Sequence, residues 1–132
     1  MIFNINLLAC SSEPQAFFDQ QTGLYWTHCP AEQVFTDQLC QGNAITMHWD
    51  EALRYCAELN NSKRQWRLAN RDELLSYYVH FGALKMDMVN LYWTSSTQPD
   101  NPELAWYLIP KLNLLVANLK ELDGLVLCVT SQ

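Results

Sequence analysis

Five cysteines, at positions 10, 29, 40, 56 and 128, limit what this 132-residue chain can fold into more than any other feature of its sequence. Cys29 and Cys40 flank the polar stretch from Pro30 to Leu39, a loop whose closure by a disulfide would contribute roughly 3 kcal/mol in the chain-entropy model. A zinc site is the weaker reading, because neither cysteine belongs to a C-x-x-C pair and His28 would crowd the same ligand shell. Cys56 falls in a helical pattern and Cys128 in the last strand pattern. A bond between those two would pin the C-terminus to the N-terminal half through a long loop.

An odd number leaves one thiol over, and Cys10 accounts for it. The run Leu7-Leu8-Ala9-Cys10-Ser11-Ser12 resembles a bacterial lipobox, in which the cysteine is acylated and becomes the first residue of the mature chain. Met1 to Asn6 is too short for an apolar signal core and holds no Lys or Arg, so an export signal would have to lie further upstream. The competing reading is an edge strand or terminus with an ordinary thiol.

With 49% hydrophobic and 12% aromatic residues the chain can bury one core but not two. The expected organisation is a lipobox-like segment and linker over 1–16, followed by one domain over 17–132. A net charge of −6 opposes a phosphate backbone, so no nucleic-acid partner is expected. Lys63, Arg64, Arg67 and Arg71 gather four of the eight basic residues in one short stretch. They read as a solvated helix start with local salt bridges, or as contacts to an anionic ligand such as an acidic glycan. No run approaches the roughly 20 apolar residues that span a bilayer, which leaves a lipid anchor as the expected membrane contact.

The periodicities predict an α+β domain. Phe17-Phe18-Asp19 and Leu24 to Thr27 form a hairpin around Gly23. Trp49, Ala52, Leu53, Cys56 and Leu59 mark the buried stripe of a first helix from Trp49 to Leu59. Asn70-Arg71-Asp72-Glu73 is a capping box that starts a second helix, with Leu74, Leu75, Tyr78 and Phe81 as its inner face and Gly82 as its end. Strands follow at 92–96, 105–109, 114–117 and 125–130.

The series Thr22-Gly23-Leu24-x-Trp26, Cys29, Cys40-x-Gly42, Trp49-x-Glu51-Ala52-Leu53, Tyr55-Cys56, Trp66-Arg67-Leu68, Arg71-x-Glu73-Leu74, Tyr92-Trp93-Thr94-Ser95-Ser96, Ala105-Trp106 and Val126-x-Cys128-Val129 resembles the bacterial Lcl C-terminal domain family. The resemblance implies a C-type-lectin-like fold, disulfides from Cys29 to Cys40 and from Cys56 to Cys128, and an exported or surface-attached binding role with no catalytic set. The sequence departs from the family pattern at Ala69, where a proline is usual, and at His48, where a Ser or Thr usually caps. It departs again at Leu127 and Thr130, where arginines often flank the last cysteine.

The five tryptophans, Trp26, Trp49, Trp66, Trp93 and Trp106, are expected to form the core, each burying on the order of 150 to 250 Å². Arg67 is expected as a buried, paired arginine at the start of the second helix. Gln98-Pro99-Asp100 copies the tripeptide of galactose-type calcium sites, and Asp100, Asn101 and Glu103 would add oxygens. The partner Trp-Asn-Asp motif is absent, which favours a proline turn and no metal. Arg67, Arg71, Gln98, Asp100, Asn101 and Glu103 are therefore the candidate ligand contacts, with no cofactor and no catalytic residue. His28, His48 and His80 lie in separate elements with no nucleophile motif beside them.

The expected function is a non-enzymatic, lipid-anchored binding module of the periplasm or outer membrane, presenting the loops between Asn90 and Asn113 to a protein or glycan. Two competitors are a periplasmic inhibitor or immunity protein against a basic toxin or lysozyme, and an accessory subunit of a pilus or secretion machine.

Overall fold

The computed structural model describes residues 13–131. Cys10 and the apolar run before it lie outside the described residues. Among the described residues nine strands and two helices follow one another: β1 (Ala16–Asp19), β2 (Leu24–Thr27), β3 (Val34–Thr36), β4 (Leu39–Gln41), α1 (Trp49–Ala57), β5 (Arg67–Leu68), α2 (Arg71–Lys85), β6 (Tyr92–Thr97), β7 (Leu104–Ile109), β8 (Leu114–Leu119) and β9 (Cys128–Thr130). A 3₁₀ turn, Pro110–Leu112, joins β7 to β8.

The first and last described strands share the first sheet, ordered β1-β2-β9-β5, where β9 inserts between β2 and β5. Val129 sits opposite Trp26 on one side and opposite Arg67 on the other. The second large sheet is the antiparallel meander β6-β7-β8, and β3-β4 form a separate hairpin. The hairpin lies within the Cys29–Cys40 segment, expected above as a plain polar loop. Asp37 and Gln38, both with positive φ, make its two-residue turn, a conformation whose twist suits paired strands.

Both disulfides of the expected pairing are present, with Cα–Cα distances of 5.6 Å for Cys29–Cys40 and 5.5 Å for Cys56–Cys128. The second is buried among Trp66, Trp93, Ala52 and Val126, and ties the buried face of α1 to β9. A second cluster packs Trp26, Leu74, Tyr77, Tyr92 and Val129 under α2.

Local signals explain the helices. Glu51 Oε1 accepts from the His48 amide at 2.9 Å, which helps to close the start of α1. At α2 the capping box forms as expected: Asn70 Oδ1 accepts from the Glu73 amide and Glu73 Oε1 from the Asn70 amide, each at 2.9 Å.

Four expectations are corrected. Gly82 does not end α2, which continues to Lys85. The glycine is buried, and a Cβ there would lie 2.7 Å from the Tyr78 ring, so its role is close approach and not positive φ. The inner face of α2 runs through Leu74 and Tyr77, while Leu75 is exposed. Of the tryptophans, Trp26, Trp66 and Trp93 are core, but Trp49 and Trp106 are only half-buried. Last, the strand expected from 125 begins at Cys128; residues 124 and 125 make only single bridges, to Met47 and Tyr92.

The chain-entropy model ranks the two staples by the length of chain they close. Replacing Cys56 and Cys128, 72 residues apart, by alanine is expected to cost about 4 kcal/mol, and replacing Cys29 and Cys40, 11 apart, about 3 kcal/mol, measured by urea unfolding. Gly124 supplies a second check. A Cβ there would stand 2.6 Å from Leu91 Cδ1 and 2.9 Å from Cδ1 of the buried Trp93. Gly124→Ala should therefore overpack the core and lower stability by about 1–3 kcal/mol.

Candidate ligand-binding face

The sequence places Arg71 at the first turn of α2 and Trp106 in the middle of β7, and the fold brings them together. Ala105 and Tyr107 point into the core, so strand alternation turns Trp106 to the opposite face. The Ser95 amide donates to Ala69 O at 2.8 Å and the Arg71 amide to Ser96 Oγ at 3.0 Å, which fixes β6 against the start of α2. The Arg71 guanidinium then lies over the Trp106 ring, 4.9 Å from its centroid. Asn70, Arg71, Asp72, Ser96, Thr97, Pro99 and Trp106 border a shallow groove of about 280 Å³.

One wall of this groove is the turn between β6 and β7, which is held by its own side chains. Gln98 Oε1 accepts from the amides of Asp100 and Asn101, and Asn101 Oδ1 accepts from the Glu103 amide at 3.1 Å. Gln98 N donates to Leu104 O at 2.9 Å, and Lys120 caps Pro102 O from β8's end. The tripeptide Gln98-Pro99-Asp100 is thus a proline turn whose amide oxygens are spent on the backbone. Asp100, Asn101 and Glu103 are exposed on it. Among the described residues no group of three or more His, Cys, Asp or Glu side chains is placed to hold a metal ion.

Arg67 goes elsewhere. Its Nη1 and Nη2 donate to Glu73 Oε1 and Oε2 at 2.8 and 2.6 Å, a bidentate pair that also braces the capping box. The expected pairing is there but the expected burial is not, since the Arg67 side chain is 50% exposed. Burial opposes the Glu73 charge, yet the Arg67 hydrogen bonds and the Asn70 amide outweigh it and hold this carboxyl below its ordinary range. Of the six candidate contacts, only Arg71 lines the groove; Gln98, Asp100, Asn101 and Glu103 build the turn beside it, and Arg67 supports α2. Leu127 and Thr130 are buried where relatives often carry arginines beside the last cysteine.

Sequence reasoning missed Trp106 by assigning every tryptophan to the core. The signal was present, since alternation about Ala105 and Tyr107 already turns Trp106 outward. It also missed Ser96 and Thr97, whose position depends on a register shift between Trp93 and Thr97.

Compared with known proteins, the sequence matches the family model described as the Lcl C-terminal domain over residues 15–130. No curated protein matches it. Eight chains of solved structures match. One belongs to the complex of a mutant von Willebrand factor A1 domain with botrocetin, at a TM-score of 0.53 and 12% identity, covering 90% of this chain and 98% of that one. At that identity the likeness is one of fold: two helices with short antiparallel sheets and two disulfides, in a C-type-lectin-like arrangement.

Because the Glu73 carboxyl is held low, its contribution to stability is present above the ordinary carboxylate pKa of 4.5 and fades as pH falls through the lower folded value. Glu73→Gln should cost about 1 kcal/mol at pH 7, and the difference from the wild type should shrink below about pH 4, as read from urea unfolding across pH.

Proposed function

Since this chain belongs to the Lcl C-terminal domain family, we propose that it is a non-catalytic binding module of the bacterial cell envelope, anchored by a lipid on Cys10, and that it grips a protein or glycan ligand in the groove between Arg71 and Trp106. The observation that carries this reading is the guanidinium stacked 4.9 Å over a half-buried indole on a rigid scaffold. A stacked Arg–Trp pair offers a flat apolar face and a fork of donors at once, the combination over-represented where binding energy concentrates. The exposed 3.7 Å pair between Arg71 Nε and Asp72 is too weak to keep the guanidinium from a ligand.

Three features support the rest. The groove's walls are held by backbone and side-chain hydrogen bonds, so binding costs little ordering. Strand β6, helix α2 and the 98–103 turn supply polar edges, with Ser96 Oγ already accepting from the Arg71 amide. All four described cysteines are joined in disulfides, which leaves Cys10 as the one thiol over for acylation.

Immobilised domain incubated with envelope extract should retain a partner identifiable by mass spectrometry. Arg71→Ala and Trp106→Ala should each lower that capture at least tenfold, on the scale of a binding hot spot. Undiminished capture by both variants would move the ligand site elsewhere. In the native host, an alkyne-bearing fatty acid should label the wild-type chain and not Cys10→Ala, and an unlabelled wild type would remove the anchor from this reading.

A further inference from the structure

A second cavity lies away from Arg71 and Trp106, between the β3–β4 hairpin and the C-terminal end of α2. It holds about 230 Å³ and is bordered by Phe35, Leu39, Leu84, Lys85, Met86 and Tyr92, among others. Lys85 is its cation. The ammonium lies 4.5 Å from the Phe17 ring centroid and 5.1 Å from that of Phe35, and its Nζ is 3.2 Å from His28 Nδ1. His28 in turn stacks on Phe35, with centroids 4.0 Å apart and rings 10° from parallel.

No ion pair to an Asp or Glu reaches Lys85 among the described residues. Burial lowers the pKa of Lys85, and burial followed by the Lys85 charge lowers that of His28. The ammonium can only donate, so His28 Nδ1 accepts its hydrogen bond. An ammonium drawn from water into aromatic surroundings without an acid is costly, and an arriving anion recovers part of that cost.

The cavity's rim is apolar and wet. Leu84 and Leu39 are 85% and 63% exposed, and Val89, on the turn beyond, is 85% exposed. Asp87 also borders the cavity, but its carboxylate is taken up by its own turn. Oδ1 accepts from the Val89 amide at 2.7 Å and Oδ2 from Asn90 Nδ2 at 3.1 Å. Strand β4 borders the cavity too, and among the described residues it pairs with β3 alone. Its other edge can hydrogen-bond to a peptide main chain, which an acyl chain lacks.

We propose that this cavity binds the free C-terminus of a peptide ending in an aliphatic residue. Lys85 takes the terminal carboxylate, Leu39, Leu84 and Met86 take the side chain, and the β4 edge takes the backbone. The site acts independently of the Arg71–Trp106 groove.

The test titrates the described disulfide-bonded protein with three probes, acetyl-Ala-Ala-Leu with a free carboxylate, the same peptide as its C-terminal amide, and octanoate, followed by ¹⁵N-resolved NMR. The free acid should bind saturably and shift the amides at 38–41 and 84–87. The amide should bind at least tenfold more weakly. Lys85→Gln should lower affinity for the acid at least tenfold, and Leu84→Gln, at a solvent-exposed position that does not hold the fold, should lower it several-fold with an unchanged Tm. Arg71→Ala should bind like the wild type, which separates this site from the groove. Equal binding of acid and amide, no loss in folded Lys85→Gln and Leu84→Gln, or no binding of the peptide acid would each overturn the proposal. So would octanoate binding where the peptide does not, which would assign the cavity to acyl carboxylates.

Discussion

The Cys56–Cys128 bridge ties helix α1 to β9, and β9 is the strand that joins the β1-β2 hairpin to β5. A three-residue strand between β2 and β5 has few ladder bonds of its own to hold it in place. The covalent link supplies what those bonds cannot, and it does so inside a packed shell of Trp66, Trp93, Ala52 and Val126. With β9 fixed, Val129 sets the register of β2 and β5 together, and the Trp26 cluster closes over it. The staple therefore stands at the centre of the architecture, inside the core it helps to close.

From that centre the two faces of the molecule are built by different means. Around the Arg71–Trp106 groove, order comes from hydrogen bonds: the capping box at Asn70 and Glu73, the Ser96 hydroxyl on α2's first amide, and a turn in which Gln98 and Asn101 satisfy their own backbone. Around Lys85, order comes from rings, with Phe17, His28 and Phe35 enclosing an ammonium that no described carboxylate neutralises. The first arrangement spends its turn amides on the backbone and leaves the Arg71 fork outward, and the second holds a charge among rings. In a chain with a net charge of −6, both Arg71 and Lys85 are local exceptions to the overall field.

Much of the scaffold was legible in the sequence, and the reasons are local. Asn70 followed by Glu73 names a helix start because those two side chains reach each other's amides whatever else the chain does. The stripe Ala52, Cys56 with Trp49 and Leu53 beside it names the buried side of α1 because 3.6 residues make a turn. Where the reading failed, the deciding fact was a neighbour distant in sequence or a detail of register. Gly82 looked like a helix end, since glycine tolerates positive φ, but its lack of a side chain instead serves the Tyr78 ring packed against it. Arg67 looked buried in its Trp-Arg-Leu run, whereas β-strand alternation buries Trp66 and Leu68 and turns the arginine to solvent beside Glu73.

The sequence by itself determined the class: an α+β domain with two helices, a framework of cysteines, and the motif series that marks the family. Each follows from spacing along the chain, and spacing is what sequence records. Only the tertiary structure decided which side chains share a surface. Arg71 meets Trp106 across 35 positions, and Lys85 meets His28 across 57, because separate elements pack those segments side by side. No local periodicity encodes such meetings, since they depend on how whole elements pack and not on any one element's own preferences.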